Sequence, residues 1–197
     1  MMRVDLHGKA FGETKVLGPI NMEIGATEAV ALIGPSGIGK STLLRLIAGL
    51  DLDFDGSISG VGRLSFVFQE PTLLPWRSSR DNIALAADVS LDEADALLVQ
   101  VGLADKASLF PSQLSLGQRR RIAILRAFAR KPETLLMDEP FASLDTETAH
   151  SMRAMLSDLL RDRPTRLILV SHDAADVEAL TTRTIRLAGS PAEISAA

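Results

Sequence analysis

Lys40 ends a glycine-rich run, GPSGIGKST at 34–42, whose Gly34, Gly39, Lys40 and Ser41 fill every fixed position of G-x-x-x-x-G-K-[ST]. Glycines at this spacing let backbone N–H groups converge on phosphate oxygens, and the helix that follows adds a favourable field. Lys40 would reach the β- and γ-phosphates of a nucleotide, and the Ser41 hydroxyl would ligate Mg²⁺. Further on, the apolar run LLMDEP at 135–140 carries two carboxylates, Asp138 and Glu139. One carboxylate can hold Mg²⁺, directly or through water, while the next orients and deprotonates an attacking water. Alone, such a run is commonly a strand entering a turn. Beside a phosphate cradle, the chemical reading dominates.

Three weaker signals accompany these two. In LSLGQ at 114–118, Ser115 and Gln118 form a Ser-x-x-Gln capping box ahead of an amphipathic stretch, which is a sufficient reading by itself. Two details point beyond it. Gly117 is a poor helix former in the first turn, and Arg119, Arg120 and Arg121 crowd positive charge onto a helix start that repels it. An anion bound there would resolve both. Gln69 follows one apolar run and His172 another. Either could be an ordinary solvated side chain, yet both follow strands expected to flank the phosphate loop.

The elements that must position these residues are legible from hydrophobic periodicity. EAVALI at 28–33 breaks at Gly34-Pro35 as a buried strand does, and Leu43, Leu46, Ile47 and Leu50 then share a helical face that Gly49 closes. Segments 64–68, 134–137 and 166–170 read as further buried strands, with helices over 116–130 and 146–161. That alternation indicates an α/β fold around a parallel sheet. Between 70 and 115 no convincing strand occurs, and Ser90 to Glu93 forms a capping box opening a helix. This stretch is expected to be a helical subdomain, 70–115, inserted into a nucleotide-binding core of 1–69 and 116–197.

Composition narrows the classes. The 197 residues carry a formal net charge of -4, which gives no electrostatic reason to expect nucleic acid as the main partner. The absence of cysteine excludes disulfides and thiolate catalysis, and three histidines make a multi-histidine metal centre improbable. The N-terminus lacks the apolar centre of a signal peptide, and no apolar run approaches the roughly 18 residues that span a bilayer.

With these motifs in this order, the chain resembles the ATP-binding-cassette ATPases over nearly its whole length. The resemblance implies a P-loop NTPase (RecA-like) α/β core with an N-terminal antiparallel β segment and an inserted α-helical subdomain. It implies that Gly34, Pro35, Ser36, Gly37, Ile38, Gly39, Lys40, Ser41 and Thr42 form the Walker A loop and that Glu139 ends Walker B as catalytic base. Gln69 would be the Q-loop glutamine, placed at the metal with Ser41 and Asp138, and His172 the switch histidine. Ser115, Gly117 and Gln118 would be the signature residues, with Leu116 where glycine is commoner; Asp145 would close the D-loop. Phe11 matches the aromatic that stacks on adenine. VFQEPTLLPW at 67–76 is similar to importers of the nitrate, sulfonate and taurine group, although the stretch from Walker A to the Q-loop is short for that group. Trp76, the only tryptophan, is either a buried anchor or a contact for a permease helix.

The expectation is therefore an ATPase using ATP and Mg²⁺, paired with a second cassette subunit in a homodimer. It would work against integral membrane permease subunits and, indirectly, a substrate-binding protein, in the cytoplasm and peripheral on the inner face of the cell membrane. The competing reading is a soluble cassette ATPase of DNA repair or cofactor assembly. Repair members usually carry a long coiled-coil or zinc-binding insertion where this chain has a short, cysteine-free segment.

Overall fold

A computed structural model describes residues 1–195, which divide by their internal contacts into two compact units. The first comprises Met1–Leu64, Glu133–Glu139 and the chain from Pro164 onward; the second comprises Ser65–Pro132 and Pro140–Arg163.

In the first unit, β1 (Met2–Phe11) alternates buried Met2, Val4 and Leu6 with outward Arg3, Asp5 and His7, the pattern of a half-buried antiparallel strand. It pairs antiparallel with β2 (Thr14–Leu17) and β3 (Ile20–Ile24), and also with β5 (Asp55–Ser59). β4 (Ala29–Ile33), β7 (Thr134–Asp138) and β8 (Arg166–Val170) are instead apolar along their length and run parallel, with β8 in the middle. β9 (Arg183–Gly189) lies parallel on the other edge of β4, and β10 (Ala192–Ile194) joins it to β2. The antiparallel segment and the parallel core are thus one continuous sheet. Its strand ends carry the chemistry, as open α/β sheets require.

α1 (Lys40–Ile47) follows β4 directly and buries Leu43, Leu44, Leu46 and Ile47. The helix stops earlier than periodicity suggested. Gly49 turns left-handed at φ 67, and Leu50, expected on the buried face, is 60% exposed beyond it. A short α6 (Ala174–Leu180) follows β8.

The second unit begins with β6 (Leu64–Val67), whose last three residues belong to it, and is otherwise helical. α2 (Ser79–Ala87), α3 (Leu91–Gln100) and α4 (Leu116–Ala129) share one core built on Ile83, Leu98, Ile122 and Leu125, all fully buried. Each such side chain contributes about 1.5–3 kcal/mol by leaving water. The segment 70–115 lies wholly in this unit. The unit extends past it through α4 and α5 (Thr146–Asp162), because Ile122, Leu125 and Ala129 of α4 belong to the apolar cluster that α2 and α3 pack around.

Candidate active site

The phosphate loop is built from backbone. Gly39 precedes α1 at φ 109, and no side chain caps the helix start. A Cβ at Gly39 would stand 2.6 Å from Leu17 Cδ2, so both the dihedral and the space demand glycine. The first turn of α1 holds no acidic residue, leaving its N–H groups and dipole to an external anion. The Lys40 ammonium donates to the carbonyls of Gly34 (2.8 Å) and Pro35 (2.9 Å), which hold it against the loop.

The two carboxylates close β7. Asp138 Oδ1 is buried and has no hydrogen-bond partner, an acceptor with room for a cation. Glu139 sits at φ 49, unusual for a residue with a side chain, and its N–H donates to Val170 O at 2.9 Å. Strained backbone of this kind persists where the surroundings over-determine it. The turn aims the carboxylate at His172, whose Nδ1 lies 2.7 Å from Glu139 Oε2. An ionised carboxylate only accepts, so the imidazole donates. The chain on either side of His172 is tied down: Ser171 donates to buried Asp176 at 2.6 Å, and Ser171 Oγ accepts the Asp173 N–H at 3.0 Å.

Phe11 ends β1 with 54% of its surface exposed and the Lys9 ammonium 4.5 Å from its ring centroid. Burial pushes Lys9 down, but hydrogen bonds to Asp51 and Asp53 outweigh it and hold the group above its ordinary value.

The second unit carries the remaining candidates. Ser115 caps α4: its hydroxyl accepts the Gln118 N–H at 3.2 Å, and Gln118 Oε1 accepts the Ser115 N–H at 2.9 Å. Gly117 has ordinary helical dihedrals, and a Cβ there would meet the Thr148 methyl at 2.9 Å. Asp145 caps α5 by accepting the Thr148 N–H at 2.9 Å, a bond that holds its carboxyl below the usual range. Ser115, Gly117, Gln118, Asp145 and Thr148 line one open groove of about 510 Å³. The signature and D-loop candidates therefore share a surface. Gln69 is exposed just after β6, and its carbonyl faces the Arg120 guanidinium at 3.5 Å.

Two of the three arginines find partners within the chain. Arg120 donates to the carbonyls of Ala142 and Gln69, and Arg121 to Val101 O (3.3 Å) and Ser151 Oγ (2.9 Å). Only Arg119 Nε and Arg120 Nε among these groups are buried without a partner. The electrostatic oddity at this helix start is thus largely relieved by carbonyls.

Two functional supports left little trace in the sequence. Fully buried Asn82 accepts the Leu74 N–H at 2.8 Å and donates to the carbonyls of Leu74, Arg77 and Ser78. It thereby shapes the turn that presents Trp76, which is 68% exposed and no core anchor. Arg126 braces the preceding residues through Pro71 O, Thr72 O and Thr72 Oγ1, and burial lowers its pKa. The Ser-x-x-Asp start of α2 at Ser78 could have flagged that turn.

Comparison with known proteins agrees with this geometry. The sequence profile of the ABC transporter family matches residues 17–142. The chain is 40% identical to the aliphatic sulfonates import ATP-binding protein SsuB 1 of Xanthomonas axonopodis pv. citri, across 98% of this chain and 83% of that protein. It is 45% identical to SsuB 2 of Frankia alni, across 91% of this chain and 74% of that one. The ATP-binding cassette MJ0796, in a dimeric post-hydrolysis state bound to ADP and Pi, superposes with a TM-score of 0.85 at 27% identity, covering 100% of this chain and 97% of that one. The family profile spans well over half of this chain and the relatives are covered over most of their length, so the chain belongs to the ABC transporter family.

Proposed function

We propose that this protein hydrolyses MgATP to drive a membrane importer of a small anionic solute of the sulfonate class, acting as a dimer of two identical cassettes. The observation that carries the hydrolytic reading is the 2.7 Å bond between Glu139 and His172, at the ends of adjacent parallel strands in the unit that also bears Lys40. Lys40 and the uncapped start of α1 bind and orient the phosphates. Glu139 accepts the proton of the attacking water, and His172 holds that carboxylate in place while donating to it. Ser41 and Asp138, both in the first unit, would hold Mg²⁺, which supplies charge neutralisation on the phosphate oxygens. Ser115, Gly117 and Gln118, with Asp145, serve the nucleotide held by the second copy.

The importer reading is supported by VFQEPTLLPW, by relatives named for aliphatic sulfonate import, and by the exposed Trp76 on a turn that Asn82 organises. An exposed tryptophan beside an arginine is a common centre of protein contacts. Among the described residues no helix is long and apolar enough to cross a membrane; in this reading permease subunits supply the translocation path. Glu139→Gln should retain ATP binding and lose about 10²–10⁴-fold in turnover. Equal turnover by isotope-labelled phosphate release would remove Glu139 from the base role. Trp76→Ala should hydrolyse ATP normally in isolation yet fail to copurify with the permease. Full copurification with intact sulfonate uptake would rule out that docking role.

A further inference from the structure

Lys9 is the most thoroughly buried cation in contact with a candidate ligand-binding group, and the mechanism above does not use it. Its side chain is 1% exposed. The ammonium donates to Asp51 Oδ1 (3.1 Å), Asp53 O (2.5 Å) and Asp53 Oδ2 (3.3 Å), and lies 2.9 Å from Asp51 Oδ2. It also sits 4.5 Å from the Phe11 ring centroid, two residues along the same strand. A buried ammonium with this many acceptors is immobile. The ammonium therefore stands fixed against one face of the ring, while 54% of the Phe11 surface stays exposed.

The acceptors matter as much as the cation. Asp51 and Asp53 lie on the segment that leaves α1, whose opposite end is the phosphate loop. One helix therefore seats phosphates at its start and fixes the ring through its exit segment. A cation on one face also draws electron density from the ring, which strengthens stacking of an aromatic base on the other.

We propose that Lys9 is a positioning residue for the base platform: held by Asp51 and Asp53, it backs one face of Phe11 and presents the other to adenine. The proposal rests on the reading of Phe11 as that platform. It predicts that Lys9 contributes to recognition of the base and not of the phosphates.

The test measures binding of MgATP and of inorganic tripolyphosphate to the full chain by calorimetry. Lys9→Met should weaken MgATP about fivefold and leave tripolyphosphate unchanged, with Lys9→Arg restoring most of the loss. The substitution should fold, because Asp53 is 93% exposed and Asp51 can rehydrate. If it does not, Asp51→Asn gives a milder loss of the same selectivity. Phe11→Ala should weaken MgATP at least as much, and the double variant no further than Phe11→Ala alone. Equal weakening of both ligands by Lys9→Met would make Lys9 a fold support only. Tighter MgATP binding would mean that the ammonium occupies the base's own face. Either result overturns the proposal. No effect of Phe11→Ala on MgATP would instead remove the platform reading itself.

Discussion

Two helices of this chain are expected to meet phosphate, and their starts are built in opposite ways. α1 begins at Gly39 with no side-chain cap, and its first turn has no internal acceptor. α4 begins at Ser115 with a complete capping box, so one of its first-turn donors, the Gln118 N–H, is already engaged by the Ser115 hydroxyl. The Ser115 backbone, at φ -65 and ψ 163, is nearly the same as at Ser78 (φ -65, ψ 170) and Ser90 (φ -65, ψ 162), which open α2 and α3 with boxes of the same form. The bare start is the one proposed as the anion seat. The capped start is an ordinary helix terminus in the proposed role of a phosphate contact, through a hydroxyl that accepts from Gln118 and still has its own proton to donate.

That contrast breaks most sharply at glycine. Gly39→Ala puts a side chain at φ 109 and 2.6 Å from Leu17, so strain and crowding act together. MgATP affinity should fall by about two orders of magnitude or more, measured by calorimetry, since the loop's N–H groups no longer converge. Gly117→Ala has no dihedral penalty and meets only the Thr148 methyl. Its ATPase rate should fall about tenfold, and Gly117→Ala with Thr148→Ser should recover it, because serine keeps the hydroxyl and removes the methyl. Failure of that rescue would show that the phosphate, not Thr148, is what excludes a side chain at 117.

Why one start was readable from sequence and the other only half so follows from where the partners lie. The phosphate loop is local: its glycines, its lysine and that lysine's carbonyl acceptors all fall within 34–42, and the strand and helix on either side announce themselves by continuous apolar character and a switch of period. The arginines of α4 suggested a bound anion because their acceptors, the carbonyls of Gln69 and Ala142, are distant in sequence and backbone carbonyls leave no signature there. Lys9 and Asn82 were invisible for the same reason, since neither breaks a hydrophobic pattern. Leu50 was misplaced because period alone does not say whether Gly49 ends the helix before or after it. The parallel core strands, buried on both faces, were the most legible elements.

The three matching serine caps supply an internal control. Ser90→Ala and Ser115→Ala should each lower stability by about 1 kcal/mol, read as a similar shift in denaturant midpoint. Only Ser115→Ala should also lower the ATPase rate of the folded protein, by about tenfold, because only its hydroxyl is proposed to donate to a nucleotide. A Ser115→Ala variant with full activity would leave that serine as a cap like the other two.

The smallest effect belongs to Leu116, the one departure within the signature string. It occupies the first helical position of α4, where dihedrals are right-handed and leucine is unstrained. It lines the groove with Ser115 and Gly117, yet it is half-buried and contributes no donor. Leu116→Gly removes its apolar contacts and adds backbone freedom at a helix end, where the cost is below the ~1 kcal/mol of a helix interior. The box between Ser115 and Gln118 does not involve residue 116, so the hydroxyl keeps its place. ATPase rate should change by less than about twofold, against the tenfold expected at Gly117. Steady-state kinetics on both single variants settles the ordering. A loss at Leu116 equal to that at Gly117 would mean that the leucine itself packs against the nucleotide, and the capped start would then be specialised by an apolar contact instead of by its hydroxyl.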